Sequence, residues 1–145
     1  MRALGKRAER IGYNGKHWTG AFALAFHGVP SSTCDIDILV RTSAENAARV
    51  EEVLRELSFA SLGLSATDFL HLNREIQLGH PPNRIDLLTS ATGVTFEEAW
   101  DCCVSGDLQG IPVRFLGRQP LIRNKRATGR TQDKADLEAL GAAVN

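Results

Sequence analysis

Apolar residues recur along this chain in two rhythms, one of helices and one of strands. Gly20 to His27 reads Gly-Ala-Phe-Ala-Leu-Ala-Phe-His, a short helix that Gly28 closes and Pro30 stops. Asp35 to Val40 is dominated by aliphatic and β-branched residues and predicts a strand. Ser43 then caps a helix to about Leu57, because Ala47, Val50, Val53, Leu54 and Leu57 keep helical spacing. Ser65 caps a short helical turn through Phe69. Glu75 to Leu78 and Arg84 to Leu88 predict two strands joined across His80-Pro81-Pro82-Asn83. Thr95 caps a helix from Phe96 to Cys102. Val104 to Leu108 and Ile111 to Leu116 predict a hairpin around Gln109-Gly110. Two helices finish the chain, Gln119 to Ala127 and Gln132 to Val144. Gly129 separates them, Thr131 caps the second, and Leu137, Leu140 and Val144 form its buried side.

No repeat, linker or low-complexity tract interrupts this mixture. Residues 1–145 therefore read as a single α/β (α+β) domain, a short mixed β-sheet with helices packed on it. Within it, residues 1–18 are atypical. Ile11-Gly12-Tyr13-Asn14-Gly15-Lys16-His17-Trp18 is polar, with two glycines and two bulky aromatics, and predicts a first strand that is frayed or missing.

With 43% apolar and 23% charged residues, the chain is an ordinary globular protein, which excludes disordered, collagen-like and coiled-coil classes. No apolar run approaches the roughly 20 residues that cross a bilayer, so no membrane partner is expected. Met1 to Arg10 is basic without an apolar stretch, unlike a secretory signal. The three cysteines, Cys34, Cys102 and Cys103, have no regular spacing, which argues against a disulfide framework and for a cytoplasmic location. Cys102-Cys103 reads as buried filler, Trp18, Trp100, Phe26 and Phe69 as packing, and His27 as a cap at a helix end. The net charge of zero conceals a segregation. Asp35 to Asp107 carries 13 acids against 5 bases, whereas Arg114 to Lys134 carries 7 bases against one acid. A chain that binds a metal–nucleotide complex needs both kinds of region.

The acidic region contains the candidate chemistry. Asp35 and Asp37 stand two apart on a strand, so their side chains leave the same face. Aspartate disfavours strands, and two neighbouring carboxylates repel each other. A divalent cation resolves that repulsion, and Mg²⁺ takes one or two carboxylates together with substrate phosphates. Asp86 is a lone acid in Arg84-Ile85-Asp86-Leu87-Leu88, again a strand. If the two strands are neighbours, three carboxylates converge as a two-metal site for in-line phosphoryl transfer. The alternative for Asp86 is a salt bridge to Arg84, its same-face neighbour.

Gly20-Ala21, Gly28, Thr33-Cys34-Asp35-Ile36-Asp37-Ile38-Leu39-Val40 and the distant Asp86, in this order, resemble the nucleotidyltransferase superfamily. The segment Leu121-Ile122-Arg123-Asn124-Lys125-Arg126-Ala127-Thr128-Gly129-Arg130-Thr131-Gln132-Asp133-Lys134-Ala135-Asp136-Leu137 resembles the closing helices of its small bacterial AbiEii-like, toxin-system group. The similarity runs from about Gly20 to Leu140. It implies a nucleotidyltransferase fold, an NTP as substrate and a pair of Mg²⁺ ions on Asp35, Asp37 and Asp86, with Asp86 also accepting the proton of the attacking hydroxyl. It implies further that Gly20, Ala21 and Thr33 meet the nucleotide phosphates, and that Lys125 and Arg130 face the triphosphate. Asp133 and Asp136 match acids of the final helix, where Asp133 also suits the helix dipole. Ala21, Ser31 and Cys34 replace a second small residue, an arginine and a lysine of many relatives, each losing a phosphate contact. The implied reaction moves a nucleoside monophosphate to an acceptor hydroxyl on a small molecule, RNA or protein. So short a chain leaves little surface for that acceptor, which a homodimer or a cognate partner protein would supply. The alternatives are a weak or inactive toxin–antitoxin component with this fold, and an antibiotic-modifying enzyme.

Overall fold

The computed structural model describes residues 16–30, 35–81, 84–108 and 110–144. Ser31, Thr33 and Cys34 lie outside these, as do the side chains of Trp18 and Ala21. Chain order is β1 (Lys16–Thr19), α1 (Gly20–Phe26), β2 (Ile36–Val40), α2 (Ala44–Glu56), β3 (Glu75–Leu78), β4 (Ile85–Leu88), α3 (Phe96–Asp101), β5 (Val104–Leu108), β6 (Ile111–Phe115), α4 (Arg118–Thr128) and α5 (Thr131–Ala139). Two 3₁₀ turns, Ala60–Leu62 and Ala66–Phe69, link α2 to β3. The second is the turn expected after Ser65, and Phe69 seals it at zero exposure. Among the described residues the strands form one six-stranded mixed sheet, ordered β3-β4-β2-β1-β6-β5.

The sheet separates two cores. Ile36, Ile38 and Val40 of β2 and Ile85 and Leu87 of β4 pack against Ala47, Val50 and Leu54 of α2. The α2 helix starts where the sequence placed it, with the Ser43 hydroxyl accepting from the Asn46 N–H. The second core joins Leu39 of β2 to Ala23 and Leu24 of α1, Leu121 and Ile122 of α4, and Leu137 of α5. Asp37 and Leu39 share a sheet face, so the helices that cover Leu39 also border Asp37.

Three expectations are corrected. The first strand is present. β1 pairs antiparallel with β2 from Lys16↔Val40 to Thr19↔Asp37 and parallel with β6 at Trp18↔Phe115. Neighbours on both sides supply its ladder partners, and that context overrides its polar composition. The last helix ends at Ala139 rather than Val144, because Gly141, at φ 69°, takes the left-handed conformation that terminates helices. Its cap is Arg130, not Thr131, and the Asp133 carboxylate accepts from the Arg130 backbone N–H at 3.1 Å.

Candidate active site

Parallel pairing of β2 with β4 sets Asp37 directly opposite Asp86. Asp35 lies just before β2 on the same face. On the other side of β4, β3 pairs Gln77 with Asp86 and Glu75 with Leu88, so Glu75 projects from this face as well. Asp86 is 3% exposed. Its neighbour two residues back, Arg84, reaches Asp86 through Nε at 2.9 Å and Asp35 through a terminal nitrogen at 3.1 Å. The same terminal nitrogen donates to Asp86 Oδ2 at 3.0 Å. The Nε contact lacks hydrogen-bond alignment, and Asp86 Oδ1 is buried with no aligned donor. Arg84 is held firmly protonated by the Asp86 hydrogen bond.

Asp37 has a strongly perturbed environment. Its carboxyl is pushed up to about 7, first by burial, then by the charges of Asp86, Asp35 and Glu75, and last by a hydrogen bond to Asp86. A carboxyl that keeps its proton near neutrality through burial first and neighbouring carboxylates second is one that a cation would relieve. The Asp37–Asp86 pair, with its undonated Asp86 oxygen, thus suits a divalent ion. Asp35 is engaged differently, since Arg84 ties it to Asp86. Among the described residues, no group of three His, Cys, Asp or Glu side chains is gathered as a metal cage.

Asp37 opens onto a cleft of about 520 Å³ that Glu75, Ser90, Asn124, Lys125 and Arg130 also line. The basic side of this cleft comes from the α4–α5 corner. Gly129, at φ 63°, ends α4 and lets the chain turn directly into α5. Across the turn, Lys125 Nζ sits 3.0 Å from Asp133 and 2.9 Å from Asp136, with all three side chains buried. Burial alone would raise the Asp133 carboxyl, but hydrogen bonds from Arg130, Thr128 and Lys125 outweigh it and hold the group well below the carboxylate range. Arg130 pairs with Asp133 at 2.8 Å while most of its side chain stays in solvent. Lys125 is therefore both a strut between two helices and a wall of the cleft, whereas Arg130 extends into it. A second cleft of about 590 Å³ shares Ser90 and Ala91 with the first and is floored by Leu39, Val94 and Phe96.

Gly20 and Ala21 open α1 immediately after Thr19, the Cα partner of Asp37, so the start of α1 adjoins the acidic strands. The site thus gathers Asp35, Asp37 and Asp86 on one face and Lys125 and Arg130 at one cleft. Thr33 lies outside the described residues.

Two residues of this site, Glu75 and Arg84, were not read from the sequence as functional. The signal for Glu75 was available in the alternation Glu75-Ile76-Gln77-Leu78 of a strand that pairs with the Asp86 strand. Elsewhere, His27 stands at the end of α1, its backbone N–H donating to the Ala23 carbonyl at 3.1 Å, while its Nε2 donates to the Leu116 carbonyl at 2.9 Å and ties α1 to the end of β6. Cys102 is exposed and Cys103 half-buried, contrary to the expected filler, because they follow the end of α3 rather than a core-facing turn. Phe26, 42% exposed, stacks on Phe115 from the surface.

The architecture has solved counterparts. A crystal structure of a "putative nucleotidyltransferase (TM1012)" from Thermotoga maritima superposes with a TM-score of 0.57 at 17% identity, covering 95% of this chain and 89% of that one. The chain has the nucleotidyltransferase fold. At that identity the likeness concerns the fold alone. No protein-family model matches the sequence, and no curated protein does. Among the described residues, no helix is long and apolar enough to cross a membrane.

Proposed function

We propose that the protein transfers a nucleoside monophosphate from an NTP–Mg²⁺ complex to an acceptor hydroxyl and releases pyrophosphate. The observation that carries this reading is the Asp37–Asp86 pair beside a cleft whose lining includes Lys125 and Arg130. Carboxylates suit the cation and the attacking hydroxyl, and basic side chains suit the triphosphate. When bound by Asp37 and Asp86, Mg²⁺ supplies charge neutralisation at the reacting phosphate. The acceptor oxygen forms its bond to the α-phosphorus, the bond from that phosphorus to the bridging oxygen breaks, and pyrophosphate carries away the electron pair. The hydroxyl proton passes to a carboxylate oxygen of Asp86. In this reading Arg130 holds the phosphates, the start of α1 at Gly20 adds backbone N–H groups, and Lys125, paired with Asp133 and Asp136, fixes the corner that carries Arg130. Such chemistry rests on positioning and electrostatics, so few side chains suffice.

The C-terminal segment from Leu121 to Leu137 favours membership of the small bacterial AbiEii-like group. Within that group the second reading is a toxin–antitoxin component without turnover, and Arg84 between Asp35 and Asp86 is the feature that favours it. One assay separates the two: pyrophosphate release from each of the four NTPs with Mg²⁺ and a mixed pool of small-molecule, RNA and protein acceptors. Release by the native protein that falls by about 10²-fold or more in Asp37→Asn and Asp86→Asn supports transfer. Release equal in native and substituted proteins removes this reading.

A further inference from the structure

Three acids on one sheet face would ordinarily call for two divalent ions to balance them. Here one positive charge is already built in. Arg84 is the residue two before Asp86 on the same strand face, and its guanidinium spans Asp35 at 3.1 Å and Asp86 at 2.9 and 3.0 Å. Its side chain is only 26% exposed, and those of Asp35 and Asp86 are 24% and 4% exposed. A planar fork placed between two carboxylates is a geometry that arginine fills and lysine does not. Asp37 stands outside this contact, facing Asp86 from the neighbouring strand. Both Asp86 oxygens thus lie within 3.0 Å of the guanidinium, while Asp37 stands beside Asp86 across the strand pair.

We propose that Arg84 takes the place of one of the two cations, so that this site binds a single divalent ion, between Asp37 and Asp86. Asp35 is then a partner of Arg84 rather than a metal ligand. This inference rests on the metal-dependent reading above and refines it. The arrangement also sets how tightly the ion is held. A cation at this position meets two carboxylates on one side and a fixed positive charge on the other, so it binds less tightly than at a bare three-acid cluster. The NTP phosphates are what complete its coordination. Nucleotide and metal are accordingly expected to bind together, each strengthening the other.

The test is equilibrium titration of the full chain with Mn²⁺, with stoichiometry and affinity read from the Mn²⁺ electron-spin resonance signal, for four proteins. The native chain should bind one ion. Arg84→Met removes the built-in charge and should bind Mn²⁺ about tenfold or more tightly, or take up a second ion. Asp35→Asn should keep the single ion with affinity within about threefold of native, whereas Asp37→Asn should lose it. Two ions on the native chain would overturn the proposal, as would an Arg84→Met protein that binds no more tightly. So would equal losses in Asp35→Asn and Asp37→Asn. Absence of any bound Mn²⁺ on the native chain would overturn the metal-dependent function as well. Each variant is checked for a cooperative thermal transition. Arg84→Gln, which keeps a polar head, is the second variant should Arg84→Met fail to fold.

Discussion

Asp37 is a residue whose burial and acidic neighbours make its ionisation costly, and that cost predicts a pH-dependent stability. Its folded value of about 7 lies above its ordinary 3.8, so the folded chain holds a proton that the unfolded chain releases. The stability this proton contributes is complete below pH about 4 and is lost as pH rises through about 7. Asp133 has the opposite sign. Its depressed carboxyl contributes stability above the ordinary carboxylate range, lost only in stronger acid. Between pH 5 and 8 Asp133 stays constant and Asp37 dominates. With divalent ions chelated, the native protein is expected to melt at a lower temperature at pH 8 than at pH 5. The difference amounts to about 3 kcal/mol at most, because about two pKa units separate pH 5 from the folded value at about 1.4 kcal/mol each. Asp37→Asn should flatten that slope and be the more stable protein at pH 8. A slope unchanged by Asp37→Asn would show that the carboxyl is not perturbed. The aspartates themselves were legible from the chain, because acids among aliphatic strand residues need a reason. Arg84 was legible only as a competitor for Asp86. Its simultaneous hold on Asp35 depends on how β2 and β4 align, which no local pattern encodes.

At the level of elements, the α4–α5 corner has the clearest energetic logic. Its two helices were legible from the break at Gly129, although the cap of the second is Arg130 rather than Thr131. What spacing did not reveal is that Lys125 points inward, since a lysine in a basic run reads as a solvated one. Two buried acids on α5 supply the reason for its burial, and Gln132 and Thr128 satisfy their remaining oxygens. Removing one member of a buried ionic cluster strands the others, which typically costs about 3–5 kcal/mol. Lys125→Met is therefore expected to lower stability by that amount in denaturant titration, whereas Lys134→Met on the exposed side of α5 should change it by less than about 0.5 kcal/mol. Equal small effects would mean that the Lys125 cluster contributes nothing beyond packing. The β1 strand shows the reverse limit of sequence reading. Its composition argues against a strand, yet β2 and β6 flank it and complete its hydrogen bonding.

In the whole molecule, the segregation of charge along the chain becomes apposition in space. The acidic stretch supplies Asp37 and Glu75, and the basic stretch supplies Lys125 and Arg130, to one cleft. The fold class was legible because strand and helix rhythms alternate clearly. The strand order was not, because β1 inserts between β2 and β6 through contacts distant in sequence. The central claim is that this cleft holds a nucleoside triphosphate with its phosphates between the acidic strands and the α4–α5 corner. The most direct measurement is a crystal structure with a non-hydrolysable NTP analogue and Mg²⁺. The account predicts ordered phosphates within hydrogen-bond reach of Arg130 and an ion in contact with both Asp37 and Asp86. Nucleotide density elsewhere on the molecule, with this cleft filled by solvent alone, would contradict it.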